Sequence, residues 1–419
     1  MDRVVGTWLG HDITIGILLI PVFSGLIGWV TNWVAVKMMF LPVTWWGIRL
    51  PFKLGVGRYK IPLLGWQGVI PSKAAKMGSI AVDTGLAKLG TITEFYRELG
   101  PDVLAAHITE SARDDLHDLV TAVIAERHPE LWATAPGPVR RLIHRRIDAE
   151  LPGLMTRVMD EIGGNIEQLV DLKLMVIRHL EADPRLLNQI FLDVGRKEFR
   201  IITDSGLWLG MLLGVVPMLV WVVYPAWWTV PVGAALVGYL TNWLALKLIF
   251  EPLEPVTIGP LRLHGLFLRR QHEVADAYAT IIAYRIITLS NVAHQMLHGP
   301  DGDRTRRLIA DIVSPAVDEA VGLARPLLQV ATAGRFGELR DTVGLEAVTP
   351  TVSTLTDERF SKERAAGLQL LLAERMRGLS FPDFAGMPRS AFVQDEWLLI
   401  LVGALLGFAA GVVQLVSTL

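Results

Sequence analysis

The sequence predicts an all-α membrane protein made of two tandem parallel repeats. It has four transmembrane helices, cytoplasmic amphipathic helical domains and short Gly/Pro-rich interfacial loops. Three observations predict this fold: a motif that occurs twice, four long apolar segments, and charged stretches with helical periodicity between them. The chain has 419 residues, of which 51% are hydrophobic and 20% charged. This mixture suits membrane segments joined by sizeable aqueous domains.

The duplicated motif reads GWVTNWVAVKMMFLP at 28–42 and GYLTNWLALKLIFEP at 238–252, with eight identical positions. A second motif is a ladder of glycines at every fourth position. It occurs as Gly206, Gly210 and Gly214, and again as Gly403, Gly407 and Gly411. The two motifs follow the same order in both halves, which indicates an internal duplication. Small residues at this spacing let helices approach closely, so the ladders are predicted to be packing faces, with pore lining as the alternative.

Four apolar segments are each long enough to cross a bilayer, which takes about 20 residues. They are 13–40 with the first TNW motif, 207–223 with the first glycine ladder, 230–250 with the second TNW motif, and 397–415 with the second ladder. Between them, 41–200 and 251–396 are each predicted to form an interfacial loop and a cytoplasmic helical domain. Apolar residues at helical spacing, such as Leu104, Ile108, Ala112 and Leu116, favour helices there.

Basic residues orient these segments. From 42 to 82 the chain has six Lys or Arg residues and no acidic residue, and Arg262, Arg269 and Arg270 follow the third segment. Positive flanks stay in the cytoplasm, so both soluble stretches are predicted to be cytoplasmic and both termini outside. The two halves then share one orientation, as in repeats related by an axis along the membrane normal.

The motifs also carry a family resemblance. TNWxAxKMxFxP followed by Gly68–Lys73 (GVIPSK), with 195–199 (GRKEF), the ladder at 206–214 and 395–397 (DEW), resembles the bacterial membrane family of unknown function that includes YheB and YjiN. The second loop departs from this pattern, because Leu268, Arg269 and Arg270 replace Pro-Ser-Lys. The resemblance implies a multi-pass protein of the bacterial cytoplasmic (inner) membrane and implies no activity.

Polar residues of the TNW helices are the first candidate site residues. Asn32 and Asn242 are amides inside hydrocarbon, so each is expected to face protein. We favour a hydrogen bond from each amide across a helix interface, including one between the two amides themselves. The alternative is that the two side chains line a path for a polar ligand. Lys37 and Lys247 lie near the helix ends, where snorkelling to the interface is favoured over binding a lipid phosphate or another anion.

Basic residues near the interface are the second candidates. The first loop mixes aromatic with basic residues, which favours contact with anionic lipid headgroups over an ordinary positive flank. The candidate lipid- or anion-binding residues are Asn32, Lys37, Asn242, Lys247, Lys53, Arg58, Lys60, Lys73, Arg269 and Arg270.

Several functions are disfavoured by the sequence. The net charge of −2 gives no sign of nucleic-acid binding, and the chain has no cysteine. His294 and His298 have a metal-like spacing but lack the glutamate of HExxH, and no phosphate loop or GxSxG elbow occurs. We therefore expect no enzymatic activity, no metal and no cofactor.

These observations favour a non-enzymatic membrane scaffold. It would engage anionic lipid headgroups and either a cytoplasmic partner or a second copy of itself. The alternative is a lipid or anion transporter whose path runs between the repeats and is lined by Asn32, Lys37, Asn242 and Lys247.

Overall fold

The structure is a computed structural model. It describes residues 4–8, 11–48, 64–127, 137–259, 261–321, 336–353, 355, 357–392 and 396–418. The chain divides into two compact units. Met1–Gly85, Ile177–Tyr278 and Met376–Leu419 form the first, which we call the membrane unit. Leu86–Val176 and Ala279–Arg375 form the second, which we call the helical unit.

Helices account for most of the described chain. In order they are α1 (Ile15–Leu18), α2 (Ile20–Phe40), α3 (Val69–Ser72), α4 (Ala74–Ile80), α5 (Ala87–Leu89), α6 (Ile92–Leu99), α7 (Pro101–Ser111), α8 (Arg113–Arg127), α9 (Gly137–Leu169), α10 (Leu172–Ala182), α11 (Pro184–Val223), α12 (Thr229–Phe250), α13 (Gln271–Ile281), α14 (Leu289–His298), α15 (Gly302–Val321), α16 (Phe336–Glu346), α17 (Val348–Ser353), α18 (Glu358–Arg377), α19 (Phe381–Phe392) and α20 (Glu396–Thr418). Turns of π-helix occupy Ala81–Leu86 and Ile282–Ile286, and a 3₁₀ turn occupies Leu268–Arg270.

Short antiparallel hairpins accompany these helices. β1 (Val4–Trp8) pairs with β2 (His11–Thr14), β3 (Trp46–Ile48) with β4 (Leu64–Trp66), and β5 (Val256–Ile258) with β6 (Leu261–Leu263). The second and third hairpins lie in the Gly/Pro-rich loops that follow the TNW motifs, where tight turns are expected.

Among the described residues, α2, α11, α12 and α20 are long and apolar enough to cross a membrane. Their outward faces carry large apolar side chains such as Leu26, Leu212, Leu236 and Leu405, which are exposed in the isolated chain. A large exposed apolar surface favours a hydrocarbon environment. The protein is therefore a helical membrane protein, as the sequence predicted.

Two helix starts differ from the predicted segments. The first segment was expected from residue 13, but His11–Thr14 form a strand and α2 begins at Ile20 with Pro21 in its first turn. The second was expected to begin at 207, but α11 runs unbroken from Pro184 to Val223. The charged residues before 207 lower the hydropathy of the chain without interrupting the hydrogen bonds of the helix.

The glycine ladders pack against the N-terminal parts of the TNW helices. α2 packs along α11, and α12 packs along α20. A Cβ atom added at Gly210 would lie 2.9 Å from Gly25 Cα, and one added at Gly411 would lie 2.8 Å from Pro231 Cα. These separations are too short for any side chain, so glycine is required where the backbones touch. The ladders are thus located at helix contacts.

The helical unit is built around α9. This helix packs against α6, α7, α8 and α15, and α15 in turn packs against α14 and α16. Thr91 and Thr288 cap the N-termini of α6 and α14, accepting hydrogen bonds from the backbone amides of Glu94 and Asn291. Glu94 also forms a bidentate ion pair with Arg375, which lowers the pKa of its carboxyl group to about 2.

Candidate functional site

Both TNW asparagines hydrogen-bond to the backbone of the ladder helix that packs against them. Asn32 Nδ2 donates to the carbonyl oxygen of Ile202 at 2.8 Å, and Asn242 Nδ2 donates to that of Leu399 at 2.8 Å. The side chains are buried, with exposed fractions of 0% and 4%. Each amide therefore joins two helices, as the favoured interpretation expected, but its partner is a main-chain carbonyl and not the other asparagine.

The other two residues of each TNW motif serve different purposes. Thr31 donates its hydroxyl to the Gly28 carbonyl, and Thr241 donates to the Gly238 carbonyl, so neither hydroxyl is left unsatisfied. Trp33 and Trp243 point outward and are exposed in the isolated chain. In each motif the threonine thus bonds to its own helix, the asparagine bonds to the neighbouring helix, and the tryptophan faces away from the protein.

The two motif lysines have different surroundings. Lys247 Nζ lies 3.5 Å from Glu251 Oε2 and 4.8 Å from the centroid of the Trp243 ring. Glu251 also accepts a hydrogen bond from Arg389 at 3.0 Å. Lys37 is exposed, and its side chain has no hydrogen bond or ion pair with the residues that the structure describes. Its charge is therefore available to an external anion.

An ion-pair network joins α11 to the segment after α12. Glu198 Oε1 lies 2.5 Å from Arg270 Nη1, and Arg270 Nε donates to Glu273 Oε2 at 2.8 Å. Lys197 binds the other oxygen of Glu273 at 2.7 Å. The hydrogen bonds from Arg270 and Lys197 lower the pKa of Glu273 to about 2, and the bond that Arg270 donates to Glu273 raises the pKa of Arg270. Arg270, expected at the lipid surface, is thus held by two carboxylates.

Glu198 also lines a cavity of about 70 Å³ between α2, α11 and α12. The cavity walls are mostly apolar and include Met39, Phe199 and Leu246. Asn242 and Tyr278 contribute polar groups to the same walls. Glu198 is only 3% exposed, and its Oε2 has no hydrogen-bond partner among the described residues. A buried acceptor without a partner is costly, so this oxygen lowers the stability of the fold.

The remaining sequence-predicted residues are less informative. Lys53, Arg58 and Lys60 lie outside the described residues. Lys73 is half-buried between α3 and α4, and Arg269 is exposed next to Arg270. Within the described parts of the chain, no three His, Asp or Glu side chains are arranged to hold a metal ion.

Sequence reasoning did not find the pairing of Glu198 with Arg270. In the sequence Glu198 stands only within the GRKEF motif at 195–199, and Arg270 only among the basic residues that follow the third segment. Their separation of 72 residues along the chain hides the contact. The available signal was a lone acidic residue close to an apolar segment, which favours a paired partner.

The described geometry defines the class as a helical membrane protein with at least four apolar helices. A search against protein-family models gave no match. The chain is similar to a UPF0754 membrane protein of Rippkaea orientalis, with 34% identity over 79 residues. The similar region is 17% of this chain and 19% of that relative, so most of both sequences lies outside it.

Proposed function

We propose that this protein is a non-enzymatic scaffold of the bacterial inner membrane that binds anionic lipid headgroups. In this proposal its two halves are parallel repeats, its helical unit is cytoplasmic, and both termini are outside. Support comes from the repeated contacts: Asn32 with Ile202, and Asn242 with Leu399, occupy corresponding positions of the duplicated sequence.

The observation that carries the choice of a scaffold is the bonding of the two asparagines. An amide that donates to a main-chain carbonyl between packed helices acts as interhelical glue. Asn242 also lines the cavity, which favours the alternative of a lipid or anion path. However, neither Lys37 nor Lys247 is among the residues lining that cavity. A path that used all four residues would require the helices to rearrange.

The headgroup site is proposed at the C-terminal end of α2. Lys37 is exposed there, and a basic residue at the surface of an anionic membrane contributes about 1 kcal/mol to binding. Arg269 is the second proposed contact, because its side chain is exposed and makes no ion pair with any described residue. Lys247 is not proposed, because it already pairs with Glu251, a carboxylate that it shares with Arg389.

The proposed partner is a cytoplasmic protein or a second copy of the chain. Leu142, Leu345 and Leu370 of the helical unit have exposed fractions of 63%, 52% and 71%. These side chains offer apolar contacts to a molecule outside the folded unit.

Native mass spectrometry of the full chain tests headgroup binding. We expect phosphatidylglycerol to bind more tightly than phosphatidylcholine. Lys37→Ala should weaken phosphatidylglycerol binding about fivefold, the equivalent of about 1 kcal/mol. Lys247→Ala is the matched control and should change it by less than about twofold. Equal binding of the two lipids, or equal losses in both variants, would contradict the proposal.

Liposome flux separates the scaffold from the transporter. Purified protein in liposomes should move neither chloride nor a fluorescent phosphatidylglycerol faster than protein-free liposomes. A flux that the Lys37→Ala, Lys247→Ala double variant abolishes would establish the alternative.

A further inference from the structure

Helix α9 has a long exposed face whose charge changes sign along the helix. The helix runs for 33 residues within the helical unit, which is about 50 Å at 1.5 Å per residue. Arg145 and Arg146 are exposed toward its N-terminal end, and Asp160 and Glu161 are exposed toward its C-terminal end. We propose that this face pairs with the same face of a second copy of the chain, with the two α9 helices antiparallel.

The opposite charges lie on one side of the helix. Arg146, Gly153 and Asp160 follow one another at intervals of seven residues, so they lie within about 40° of each other around the helix axis. All three are exposed. A spacing of seven residues keeps side chains on the seam between two helices that pack side by side at a shallow angle. The face can therefore contact one long neighbouring helix over about four turns.

A twofold axis through Gly153 would bring opposite charges together. Arg146 lies seven residues before Gly153 and Asp160 seven residues after it, so Arg146 of each copy would meet Asp160 of the other. Glu150 lies three residues before Gly153 and Arg157 four residues after it, which places a second pair of opposite charges at nearly equal height. Each pair forms twice, because a twofold contact uses the same surface of both copies.

The charged side chains of this face are not used inside the helical unit. Arg146, Arg157 and Asp160 make no hydrogen bond or ion pair with any described residue. The same holds for Glu150, which is half-buried. Arg359 of α18, by contrast, lies 3.5 Å from a carboxylate one turn away on its own helix. The α9 charges are therefore available to a partner.

The change of sign favours a second copy over a partner with uniform charge. A nucleic acid or an anionic membrane would be attracted by the arginines of this face and repelled by its carboxylates. An antiparallel copy of α9 meets opposite charge at both ends. The proposal rests on the part of the proposed function that gives the helical unit a partner, and it specifies that partner.

The uncharged part of the face suits close packing of two helices. Ala149, Gly153 and Thr156 are small and exposed near the proposed axis, so two helices can approach to about 8 Å. Leu142, which is 63% exposed, lies eleven residues before Gly153, and Gly164 lies eleven residues after it. A Cβ atom at Gly164 would meet nothing within 4 Å, so the second copy has room there for the leucine.

Disulfide crosslinking of the full-length protein in detergent tests the pairing, since the chain has no cysteine of its own. Gly153→Cys places a thiol at the proposed axis, where the two Cα atoms would come within the roughly 6 Å that a disulfide spans. Cysteine fits this position, because a Cβ there would meet only the Arg157 side chain, at 4.0 Å. We expect most of the oxidised protein to become a covalent dimer.

Leu142→Cys is the matched control for the axis. In the antiparallel pair its two copies would be about 33 Å apart, so this variant should not crosslink with itself. The same variant also tests the register when it is mixed with Gly164→Cys on a chain that carries a different tag. These two variants should crosslink with each other, whereas Gly164→Cys alone should stay monomeric on oxidation.

Charge reversal tests what holds the pair together. In the Gly153→Cys background, Arg146→Asp places like charges opposite each other and should slow crosslinking at least about tenfold. Adding Asp160→Arg restores opposite charges and should recover most of the original rate. Arg359→Asp makes the same charge change at an exposed arginine of α18 and should leave the rate unchanged.

Three outcomes would overturn the proposal. Gly153→Cys could crosslink no faster than Leu142→Cys, which would mean that the chains meet only by random collision. Leu142→Cys could crosslink with itself, which would exclude the antiparallel arrangement. The combined charge reversal could fail to recover the rate lost in Arg146→Asp, which would mean that these charges do not define the contact.

Lipid binding by the same preparations separates this proposal from the scaffold function. Native mass spectrometry could show a preference for phosphatidylglycerol in a protein that does not crosslink at 153. That result would remove the pairing and leave the headgroup site intact. Crosslinking at 153 without any lipid preference would support the pairing and contradict the headgroup site.

Discussion

The two TNW helices, α2 and α12, pack against their ladder helices in the same way but differ in the charges at their C-terminal ends. Both donate an amide hydrogen bond of 2.8 Å to the ladder helix packed against them. At their C-terminal ends, Lys37 precedes Leu41, whereas Lys247 precedes Glu251 and pairs with it. Backbones in contact tolerate no added atom, whereas charges at a helix end can be exchanged. The shared features therefore report on packing, and the differing ones report on the charge that each helix end presents.

Replacing Arg270 should have the largest effect of any single substitution in these helices and their connecting segments. Arg270→Leu leaves Glu198 buried without a positive partner, and breaking such a pair costs about 3–5 kcal/mol. Thermal unfolding of the purified protein in detergent measures this loss. Arg269→Leu is the matched control, because its side chain is exposed and should cost less than about 0.5 kcal/mol.

The double variant Glu198→Leu, Arg270→Leu separates charge from packing. It removes both members of the pair, so most of the stability lost in Arg270→Leu should return. If the double variant were as unstable as the single one, the buried charge would not be the cause.

The glycine ladders should show the next largest effect, and it should be alike in both copies. Gly210→Ala and Gly407→Ala place a Cβ against the facing backbone, at 2.9 Å from Gly25 Cα and 3.4 Å from Ala235 Cα. Overpacking of this kind typically costs about 1–3 kcal/mol. Loss of folded protein on heating measures it.

Replacing a glycine that has open space around it should raise the stability of the protein and not lower it. A Cβ at Gly164, inside α9, would meet nothing within 4 Å. Gly164→Ala should therefore stabilise the protein by roughly 0.5–1 kcal/mol, since alanine is the better helix former. If Gly164→Ala lowered the stability of the protein, or if the ladder variants did not lower it, the close-packing role of the ladder glycines would be contradicted.

The sequence predicted that the glycines and the buried amides lie at close helix contacts, but it did not predict which helix each of them contacts. Glycines at every fourth position and a buried amide predict a close helix contact, whichever helix supplies the other side. Asn32 and its acceptor Ile202 are 170 residues apart, and any carbonyl at the same depth would satisfy the same rule. The duplication identifies the acceptor of one asparagine only after the acceptor of the other is known.

Boundaries of the apolar segments were predicted by hydropathy, which marks where hydrocarbon ends and not where a helix ends. Residues such as Arg196 and Asp204 mark the edge of the apolar part of α11, yet the helix continues through them. At the start of α2 the opposite happens: apolar composition extends to residue 13, but Ile13 belongs to β2. Hydrogen bonding to β1 determines that strand, and hydropathy does not register it.

A change in lipid affinity, with no change in stability, tests the charge difference between the two helix ends. Leu41 and Glu251 follow α2 and α12 with nearly the same backbone, φ −127° and ψ 148° against φ −124° and ψ 146°. A glutamate at 41 can therefore reach Lys37 as Glu251 reaches Lys247. Leu41→Glu should weaken phosphatidylglycerol binding about fivefold, as Lys37→Ala does, because it neutralises about 1 kcal/mol of attraction.

Leu41→Gln is the matched control, since it has the same size and no charge, and it should bind phosphatidylglycerol like the wild type. The reverse change, Glu251→Leu, frees both Lys247 and Arg389 and should tighten binding by at least about fivefold. Native mass spectrometry of the four proteins in one lipid mixture compares them directly. If Leu41→Glu and Leu41→Gln weakened binding equally, the loss would come from the leucine side chain and not from the added charge. The two helix ends would then differ in packing as well as in charge.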